Sequence, residues 1–199
     1  MKHISIRTFM GPLTTTILSL GVLSLLLVSA LQSHSPQAVA APEAAPVNRS
    51  DCTALQNLTQ SRGCWVKLVK QGEKDLSGAD LTQADLSGAE LTRANLNGAN
   101  LNEANLSKAL LREAYLTRAE LTKADLSGGD LTRTDLTKAT LRGADLSGAN
   151  LTGAKLIGAN LGRAKLSGAK LSGANLTGAN LTGADLTGAN MLGVINLQK

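Results

Sequence analysis

The 199-residue chain carries 20 Lys and Arg against 15 Asp and Glu, and its formal net charge is +5. The first 40 residues hold two of the cations and no acid, so the remainder carries +3, which favours neither a nucleic-acid-binding protein nor an acidic mimic of nucleic acid. Only 2% of the residues are aromatic, so a packed core has to be aliphatic.

Residues 1–40 are typical of a secretory signal peptide. They begin with the cations Lys2 and Arg7, continue with an apolar run over residues 17–31 and end in small side chains. The small residues around the predicted cleavage, between positions 40 and 41, are Ala38, Ala40 and Ala41. The apolar run is shorter than the roughly twenty residues that a membrane span needs, so a retained anchor is the less favoured alternative. We expect an exported protein with no stable membrane insertion after signal removal.

Residues 41–50 predict a flexible lead-in, because Pro42 and Pro46 lie there among alanines. Both histidines, His3 and His34, belong to the predicted signal peptide. The exported chain is therefore expected to contain no histidine.

Residues 51–73 predict an N-terminal cap built around a short helix. Ser50 or Asp51 is expected to cap a helix over about residues 53–60, in which Leu55 and Leu58 are spaced to face one way.

The only two cysteines, Cys52 and Cys64, both lie in this predicted cap. In an exported protein the favoured interpretation is a disulfide, which would contribute about 3 kcal/mol by closing a short loop. The alternatives are free thiols in a reducing lumen and a redox-switchable bridge. Two cysteines without histidine do not complete a tetrahedral metal site, so we expect no metal and no cofactor.

Leucine then recurs at every fifth residue from Leu76 to Leu186, and Met191 takes the next slot. Alanine fills the slot two residues before the large side chain at 21 of 23 places, and only Gly129 and Thr134 interrupt it. In an α-helix five residues turn about 500°, so the leucines would spiral around the helix instead of forming one face. In a strand an odd period would place successive leucines on opposite faces. The chain keeps every leucine on one side only if it bends once in each repeat.

The spacing inside each repeat predicts where the bend lies. Ala79 and Leu81 are two residues apart, so a short extended segment points both of them inward and Asp80 outward. Small polar residues and glycine, such as Ser87 and Gly88, suit the corner that follows. The sequence therefore predicts an all-β solenoid with leucine and alanine inside and polar residues outside.

Residues 79–83, 84–88 and 174–178 follow the motif A-(D/N)-L-x-x, and this pattern resembles the pentapeptide-repeat family over positions 76–193. The resemblance implies a right-handed quadrilateral β-helix over residues 74–193, with four pentapeptides per coil and about six coils. Exported members of the family are abundant in cyanobacteria. One column of the expected core consists of Leu76, Leu96, Leu116, Leu136, Leu156 and Leu176.

Residues 194–199 are expected to leave the repeat and form a C-terminal cap or tail. The apolar side chains that crowd this end are Met191, Leu192, Val194, Ile195 and Leu197. The alternative is a homodimer interface, which the resemblance also implies because some family members associate at this end.

The repeat region offers little for catalysis. Its serines occupy repetitive corner positions, and none has a distinctive base beside it. Asp85, Asp125 and Asp145 would stack in one outer column with Asn105 between them, which predicts a solvated polar ladder with a weak cation site as the alternative. We therefore predict no enzyme activity, no catalytic residue and no cofactor site.

Departures from the motif on the outside are the candidate interaction residues. Leu110 and Tyr115 replace the usual outward Asp or Asn, and an excess of positive charge follows near the C-terminal end. The residues of that basic belt are Lys155, Arg163, Lys165 and Lys170. Neutral variation and a solvated ring of charge are the alternatives to a binding surface.

The sequence favours a non-enzymatic scaffold or protein-interaction module in an extracytoplasmic compartment, the thylakoid lumen or the periplasm. Its protein partner is unknown, and no nucleic acid is expected because stacking aromatics are lacking. The first alternative is a redox-responsive lumenal protein switched by Cys52 and Cys64. A DNA-mimicking, gyrase-interacting protein is less favoured, because the chain is not acidic and is expected to be exported.

Overall fold

The computed structural model describes residues 47–54 and 58–195, all of which belong to one compact unit, Pro46–Lys199. The expected signal peptide, its cleavage site at Ala38, Ala40 and Ala41, and the first part of the lead-in lie outside the described residues. Two α-helices are followed by a solenoid whose strands are single bridging residues.

Helix α1 spans Arg49–Ala54 and helix α2 spans Leu58–Lys70. Asn48 caps α1, because its Oδ1 accepts the Asp51 N–H at 3.1 Å while the Asn48 N–H donates to Asp51 Oδ2 at 2.9 Å. This reciprocal pair satisfies two amide groups that would otherwise lack partners at the helix start.

These bounds correct two expectations. The lead-in does not continue to residue 50, because the Asn48 cap starts a helix at Arg49. The single helix expected over residues 53–60 with Ser50 or Asp51 as its cap is also wrong, because α1 ends at Ala54 and a second helix continues to Lys70. Hydrophobic spacing around Leu55 and Leu58 did not indicate that division.

Helix α2 packs on the first coil of the solenoid. Trp65, Leu68 and Val69 are buried in the same apolar cluster as Leu76 and the leucines that follow. The helix ends in a Schellman motif, in which the Gly72 N–H donates to Val69 O at 3.0 Å and the Glu73 N–H to Leu68 O at 3.0 Å. Gly72 takes the left-handed conformation that this motif requires, with φ of 81°.

The solenoid is held by a parallel ladder with a register of twenty residues. Its first bridge joins Asp75 to Asn95 and its last joins Asn175 to Ile195. Two neighbouring coils donate hydrogen bonds to each other. The Asn100 N–H donates to Ala79 O at 2.9 Å, and the Leu81 N–H donates to Asn100 O at 2.8 Å. Twenty residues hold four pentapeptides, so each coil has four sides, and the ladder from Asp75 to Ile195 advances by six such steps.

Each corner is a β-turn closed by one hydrogen bond, such as that from the Ala89 N–H to Leu86 O at 3.0 Å. The second corner residue has a positive φ, as the third position of a type II turn demands, and glycine meets that demand at Gly88 with φ of 64°. Ten corners instead place a non-glycine residue there, at a cost of roughly 1–2 kcal/mol each. These residues are Gln83, Arg93, Glu103, Lys108, Glu113, Arg118, Lys123, Arg133, Lys138 and Arg163.

The core is made of leucine and alanine side chains inside the coil. The six column leucines at 76, 96, 116, 136, 156 and 176 are each at most 2% exposed. Thr134 occupies an alanine slot and is fully buried, and its hydroxyl donates to Leu111 O at 2.7 Å. That hydrogen bond lets a polar side chain stand in the core without an unsatisfied group.

The last described coil keeps the register beyond the expected boundary at residue 194. The Ile195 N–H donates to Ala174 O at 2.9 Å, and Leu176 N–H donates to Ile195 O at 3.0 Å. Val194 and Ile195 therefore belong to the solenoid and do not form a separate cap, because the backbone ladder continues whatever side chain fills the outward slot. Residues 196–199 lie outside the described part.

Replacing Leu136 by Lys is expected to abolish cooperative folding, because the ammonium would be fully buried among stacked leucines with no partner. The matched control is Ser172→Lys, in a corner column that already holds Arg112, and its free energy of unfolding should stay within about 1 kcal/mol of wild type. Thermal unfolding followed by circular dichroism compares the two. A cooperative Leu136→Lys transition at the wild-type temperature would contradict the assignment of this column to the core.

Candidate interaction surface

The residue in the outward slot of each repeat accepts a backbone hydrogen bond, which explains why Asp or Asn usually fills this slot. The side-chain oxygen accepts the corner amide two residues later: Asp80 Oδ1 accepts the Thr82 N–H at 3.1 Å, and Asn180 Oδ1 accepts the Thr182 N–H at 3.0 Å. This is the hydrogen bond of an Asx turn, and it stabilises the bend. A residue without such an oxygen forgoes that bond, so departures from Asp or Asn in this slot carry a structural cost.

Five large apolar side chains are exposed among the described residues, and Tyr115 at 53% and Leu110 at 41% both occupy outward slots in the middle of the solenoid. Ile157, at a corner, is 36% exposed, and the other two are Leu192 and Ile195 in the last described coil. Because Tyr115 has no carboxylate or amide oxygen, the Thr117 N–H donates instead to Asn97 Oδ1 of the preceding coil, at 2.9 Å.

Tyr115 lies on one side of the solenoid that we call the Tyr115 face. The outward residues of this face are Asp75, Asn95, Tyr115, Asp135, Lys155, Asn175 and Ile195. Leu110 lies on the preceding side, between Glu90 and Asp130 in its own column. The two apolar departures are therefore on adjacent sides, separated by the corner that contains Arg112 and Glu113.

Two shallow grooves lie on this part of the solenoid, and Tyr115 lines one of them. One, of about 430 Å³, is lined by Lys74, Asp75, Arg93, Asn95, Asn97 and Tyr115. The other, of about 560 Å³, is lined by Asn97, Gly98, Thr117, Arg118, Thr137 and Lys138. Asn97 belongs to both linings, so the grooves adjoin.

The four cations of the basic belt are exposed, but two of them have acidic partners. Lys155 Nζ lies 3.6 Å from Asp135 Oδ2, and Lys165 Nζ lies 3.2 Å from Asp145 Oδ2. Lys170 and Arg163 make no ion pair with any described residue. The twenty-residue register places an aspartate one coil before two of the lysines, so two of the four cations in the basic belt are in ion pairs.

The pKa values of the paired aspartates are shifted by this arrangement. Burial alone would raise the pKa of Asp135, but hydrogen bonds from Thr137 and the Lys155 ammonium outweigh it and hold the pKa below its ordinary value. Burial likewise opposes hydrogen bonds from Ser147 and the charge of Lys165 at Asp145, whose pKa is also lowered.

The aspartate column shows how the same register treats charge elsewhere. The ladder stacks four residues of one outward column in order: Asp85, Asn105, Asp125 and Asp145. Asn105 Nδ2 donates to Asp85 Oδ1 at 3.2 Å. Lys165 follows Asp145 in this column and pairs with it. Within residues 47–54 and 58–195 no three side chains of His, Cys, Asp or Glu are grouped as metal ligands.

The N-terminal helices carry the third sequence-predicted site. Cys52 and Cys64 form a disulfide that joins α1 to α2, with Cα atoms 5.3 Å apart and both side chains buried. The Arg49 guanidinium pairs with Asp75 and also donates to Ser77 O and Ser77 Oγ, both at 2.9 Å. Helix α1 is therefore held to α2 by a covalent bond and to the first coil by one arginine.

Sequence reasoning did not identify Arg49, Arg118 or Lys138. Arg118 and Lys138 could have been found by writing the sequence in columns of twenty residues. Both replace glycine in a corner column that is otherwise glycine, at positions 78, 98, 158 and 178. Nothing in the spacing of α1 indicated that Arg49 would reach the first coil.

The profile of the family described as pentapeptide repeats matches in eight copies, over residues 75–112, 99–137, 114–153, 130–168 and 164–195. HetL, a pentapeptide repeat protein involved in heterocyst differentiation regulation in the cyanobacterium Nostoc sp. strain PCC 7120, is 41% identical; the match covers 61% of this chain and 69% of HetL, with a TM-score of 0.39. No curated protein sequence matches the chain.

Two further solved structures show the same type of repeat. A pentapeptide repeat protein from the Arabidopsis thaliana thylakoid lumen is 28% identical over 52% of this chain and 71% of its own, with a TM-score of 0.32. A trypsin-treated variant of QnrB1, a plasmid-mediated fluoroquinolone resistance protein, is 25% identical over 60% of this chain and 75% of its own, with a TM-score of 0.42. None of the helices in the described part of this chain is long and apolar enough to cross a membrane.

The lowered pKa values predict a loss of stability in acid. A group whose pKa is depressed by folding stabilises the native state above its ordinary pKa, and that contribution disappears as the pH falls through the folded pKa. We expect the melting temperature to be level near neutrality and to fall once the pH drops below the ordinary Asp value of 3.8.

The matched variant is Asp135→Asn with Asp145→Asn, because asparagine keeps the acceptor for the corner amide and removes only the charge. Melting curves recorded across this range should fall less steeply for the variant. An equal fall in both proteins would show that the ionisation of Asp135 and Asp145 does not contribute to the acid response.

Proposed function

The chain belongs to the pentapeptide-repeat family, and we propose that it is a non-enzymatic scaffold that binds another protein through the outside of its β-helix, in an extracytoplasmic compartment. The fold of this family is a right-handed quadrilateral β-helix, and its members are generally structural or interaction modules. The observation that carries the proposal is the pair of exposed apolar side chains, Tyr115 and Leu110, in slots where the fold itself favours Asp or Asn.

The composition supports a binding role over a catalytic one. Residues 47–199 contain no histidine, and the recurring corner serines stand on an exterior where each is one of many equivalent copies. The grooves beside Tyr115 are open and shallow, and their lining combines cations with amides and hydroxyls. Such a surface suits recognition of a protein partner more than desolvation of a small substrate.

Export is the second part of the proposal. Residues 1–40 have the three-part composition of a signal peptide, with cleavage expected at Ala40 and Ala41, and the Cys52–Cys64 disulfide fits an oxidising compartment. The thylakoid lumen and the periplasm are the two candidate destinations of the exported protein. In this organisation α1 and α2 cap the first coil, which would otherwise present unpaired backbone groups.

We also propose that two copies of the protein associate through their C-terminal ends. Leu192 is 77% exposed and Ile195 is 49% exposed in the last described coil, where Leu181, Leu186 and Met191 are only partly buried. A strictly monomeric protein in sedimentation experiments would remove this possibility.

A redox-responsive role is the second candidate function, and it rests on how α1 is held. Cys52 is the buried residue of α1. The helix is held by the disulfide, by the Ser61 hydroxyl, which donates to Cys52 O at 3.2 Å, and by Arg49. A DNA-mimicking role is less favoured because residues 146–195 carry four cations and one acid, the opposite of an acidic surface.

The protein-binding proposal is tested by crosslinked co-purification of the tagged protein from its native cells, with mass spectrometry. The matched variant is Leu110→Asn with Tyr115→Asn, which restores the repeat and its corner hydrogen bonds and should remain at least as stable as wild type. We expect one dominant extracytoplasmic partner with wild type and at least a tenfold lower yield with the variant. Recovery of the protein alone, or equal capture by the variant, would contradict the proposal.

Reduction of the disulfide is expected to release α1 and leave the solenoid folded, because the ladder and leucine core contain no contact from α1 beyond Arg49 and Cys52. Hydrogen exchange should rise in residues 49–54 and stay unchanged in residues 96–176. Cys52→Ser is the matched variant, and it should reproduce the exchange of the reduced protein. A bond that resists thioredoxin would exclude the redox role.

A further inference from the structure

One corner column of the Tyr115 face holds two adjacent cations. Its members, in order along the solenoid, are Gly78, Gly98, Arg118, Lys138, Gly158 and Gly178. Arg118 and Lys138 are successive in the ladder register, so their backbones stand about 4.8 Å apart. Both take φ of 59°, a conformation that favours glycine, and glycine is what the rest of the column provides.

Two other corner columns place opposite charges next to each other, and a further one holds Lys108 alone among glycines. Arg93, Glu113 and Arg133 follow one another, and Arg93 Nε lies 2.9 Å from Glu113 Oε2. In a third column Gln83 Nε2 donates to Glu103 Oε2 at 2.9 Å and Lys123 comes next. Stacked neighbours of opposite charge attract, whereas Arg118 and Lys138 repel each other. All of these corner residues have positive φ, so the like charge is what distinguishes the Arg118 and Lys138 pair.

No acid among the described residues makes an ion pair with Arg118 or Lys138. Glu120, two residues after Arg118, accepts a hydrogen bond from Asn102 Nδ2 at 2.9 Å. Asp75 is engaged by Arg49, Asp135 by Lys155 and Glu113 by Arg93. Arg118 and Lys138 are both exposed, and neither side chain makes an ion pair or hydrogen bond with any residue in 47–54 or 58–195. Two fixed positive charges therefore point to solvent from one wall of a groove.

Tyr115 lies next to this pair in the same repeat, three residues before Arg118. The groove that contains Tyr115 also contains Lys74 and Arg93, and it meets the groove of Arg118 and Lys138 at Asn97. The combined lining crosses three coil steps, about 15 Å, which matches an extended peptide of about five residues. It offers four cations, one acid that is already paired, and one exposed aromatic ring.

We propose that this joined groove binds an extended acidic segment of a partner protein, with carboxylates on Arg118 and Lys138 and an apolar side chain against Tyr115. The inference rests on the proposed function and names the chemistry of its partner. Guanidinium and ammonium groups form charge-assisted hydrogen bonds with carboxylates, and a neighbouring aromatic ring supplies apolar contact area.

A peptide fits the surface better than the other anionic macromolecules. Proteins that bind nucleic acid without sequence preference combine a cationic groove with several stacking aromatics, and this face has one aromatic ring. Attachment to an anionic membrane takes clusters of about four to eight cations. Of the four cations in the joined groove, Arg93 is paired with Glu113 and Lys74 donates to Glu90 O, so only Arg118 and Lys138 are unengaged.

The test is fluorescence anisotropy of a labelled hexapeptide of glutamates with one leucine, titrated with the purified protein. Arg118→Gly with Lys138→Gly restores the glycine column and should weaken binding at least tenfold without loss of stability. The matched control is Lys108→Gly with Lys123→Gly, which removes the same charge from two other corners of positive φ and should change affinity less than twofold. Tyr115→Asn should weaken binding about three- to tenfold.

Two results with the peptide would overturn the inference: no binding of the hexapeptide by wild type, or equal weakening by the two double variants. It would also be overturned if wild type bound phosphatidylglycerol vesicles or single-stranded DNA in place of the peptide and the Arg118→Gly, Lys138→Gly variant lost that binding. The Arg118→Gly, Lys138→Gly variant is also carried through the crosslinking experiment. If it captures the wild-type partner while Leu110→Asn with Tyr115→Asn does not, only the acidic-segment inference fails. If wild type captures no partner, the proposed function fails.

Discussion

The twenty-residue hydrogen-bond ladder is the constraint on which the rest of the structure depends. Asn100 pairs its N–H and its C=O with Ala79 and Leu81 of the preceding coil, and its neighbours Ala99 and Leu101 pair with Glu120 of the following coil. Each coil is therefore bonded to the coils on both sides, and every fifth leucine returns to the inside. The same register decides which side chains meet on the outside. It brings Asp135 to Lys155 and Asp145 to Lys165, and it also stacks Arg118 beside Lys138 without an acid.

The sequence was enough to predict the solenoid, because a period of five leaves the chain no other way to keep leucine on one side. It was also enough to place the corners, since Ser87 and Gly88 are typical turn residues. The helices were predicted less well. The Asn48 and Asp51 pair is a local capping signal that sequence reasoning missed, and the length of α2 depends on its burial against the first coil. The partners of Lys155 and Lys165 required both the coil register and side-chain positions. The role of Arg49 required the packed structure.

A uniform repeat makes the cost of each departure visible. Tyr115 replaces an acceptor for a corner amide, and Arg118 and Lys138 replace glycine where φ is 59°. The fold alone would favour Asn and glycine at these places, so their combination on one face is difficult to explain by stability. Binding sites in proteins are commonly places where local rules are broken and another requirement takes over. The Tyr115 face is therefore a better candidate for recognition than the basic belt, half of whose charge is paired.

We infer that Tyr115, Arg118 and Lys138 lower the free energy of unfolding of the solenoid and are present because they bind a partner. The most direct measurement is the free energy of unfolding, by equilibrium denaturation, of a variant that returns the face to the repeat: Tyr115→Asn, Arg118→Gly and Lys138→Gly together. We predict a value equal to wild type or higher by about 1–2 kcal/mol, since glycine replaces two residues held at positive φ, while the Thr117 amide exchanges its Asn97 acceptor for one in its own repeat. A value clearly lower than wild type would mean that these residues stabilise the solenoid, and it would contradict the claim.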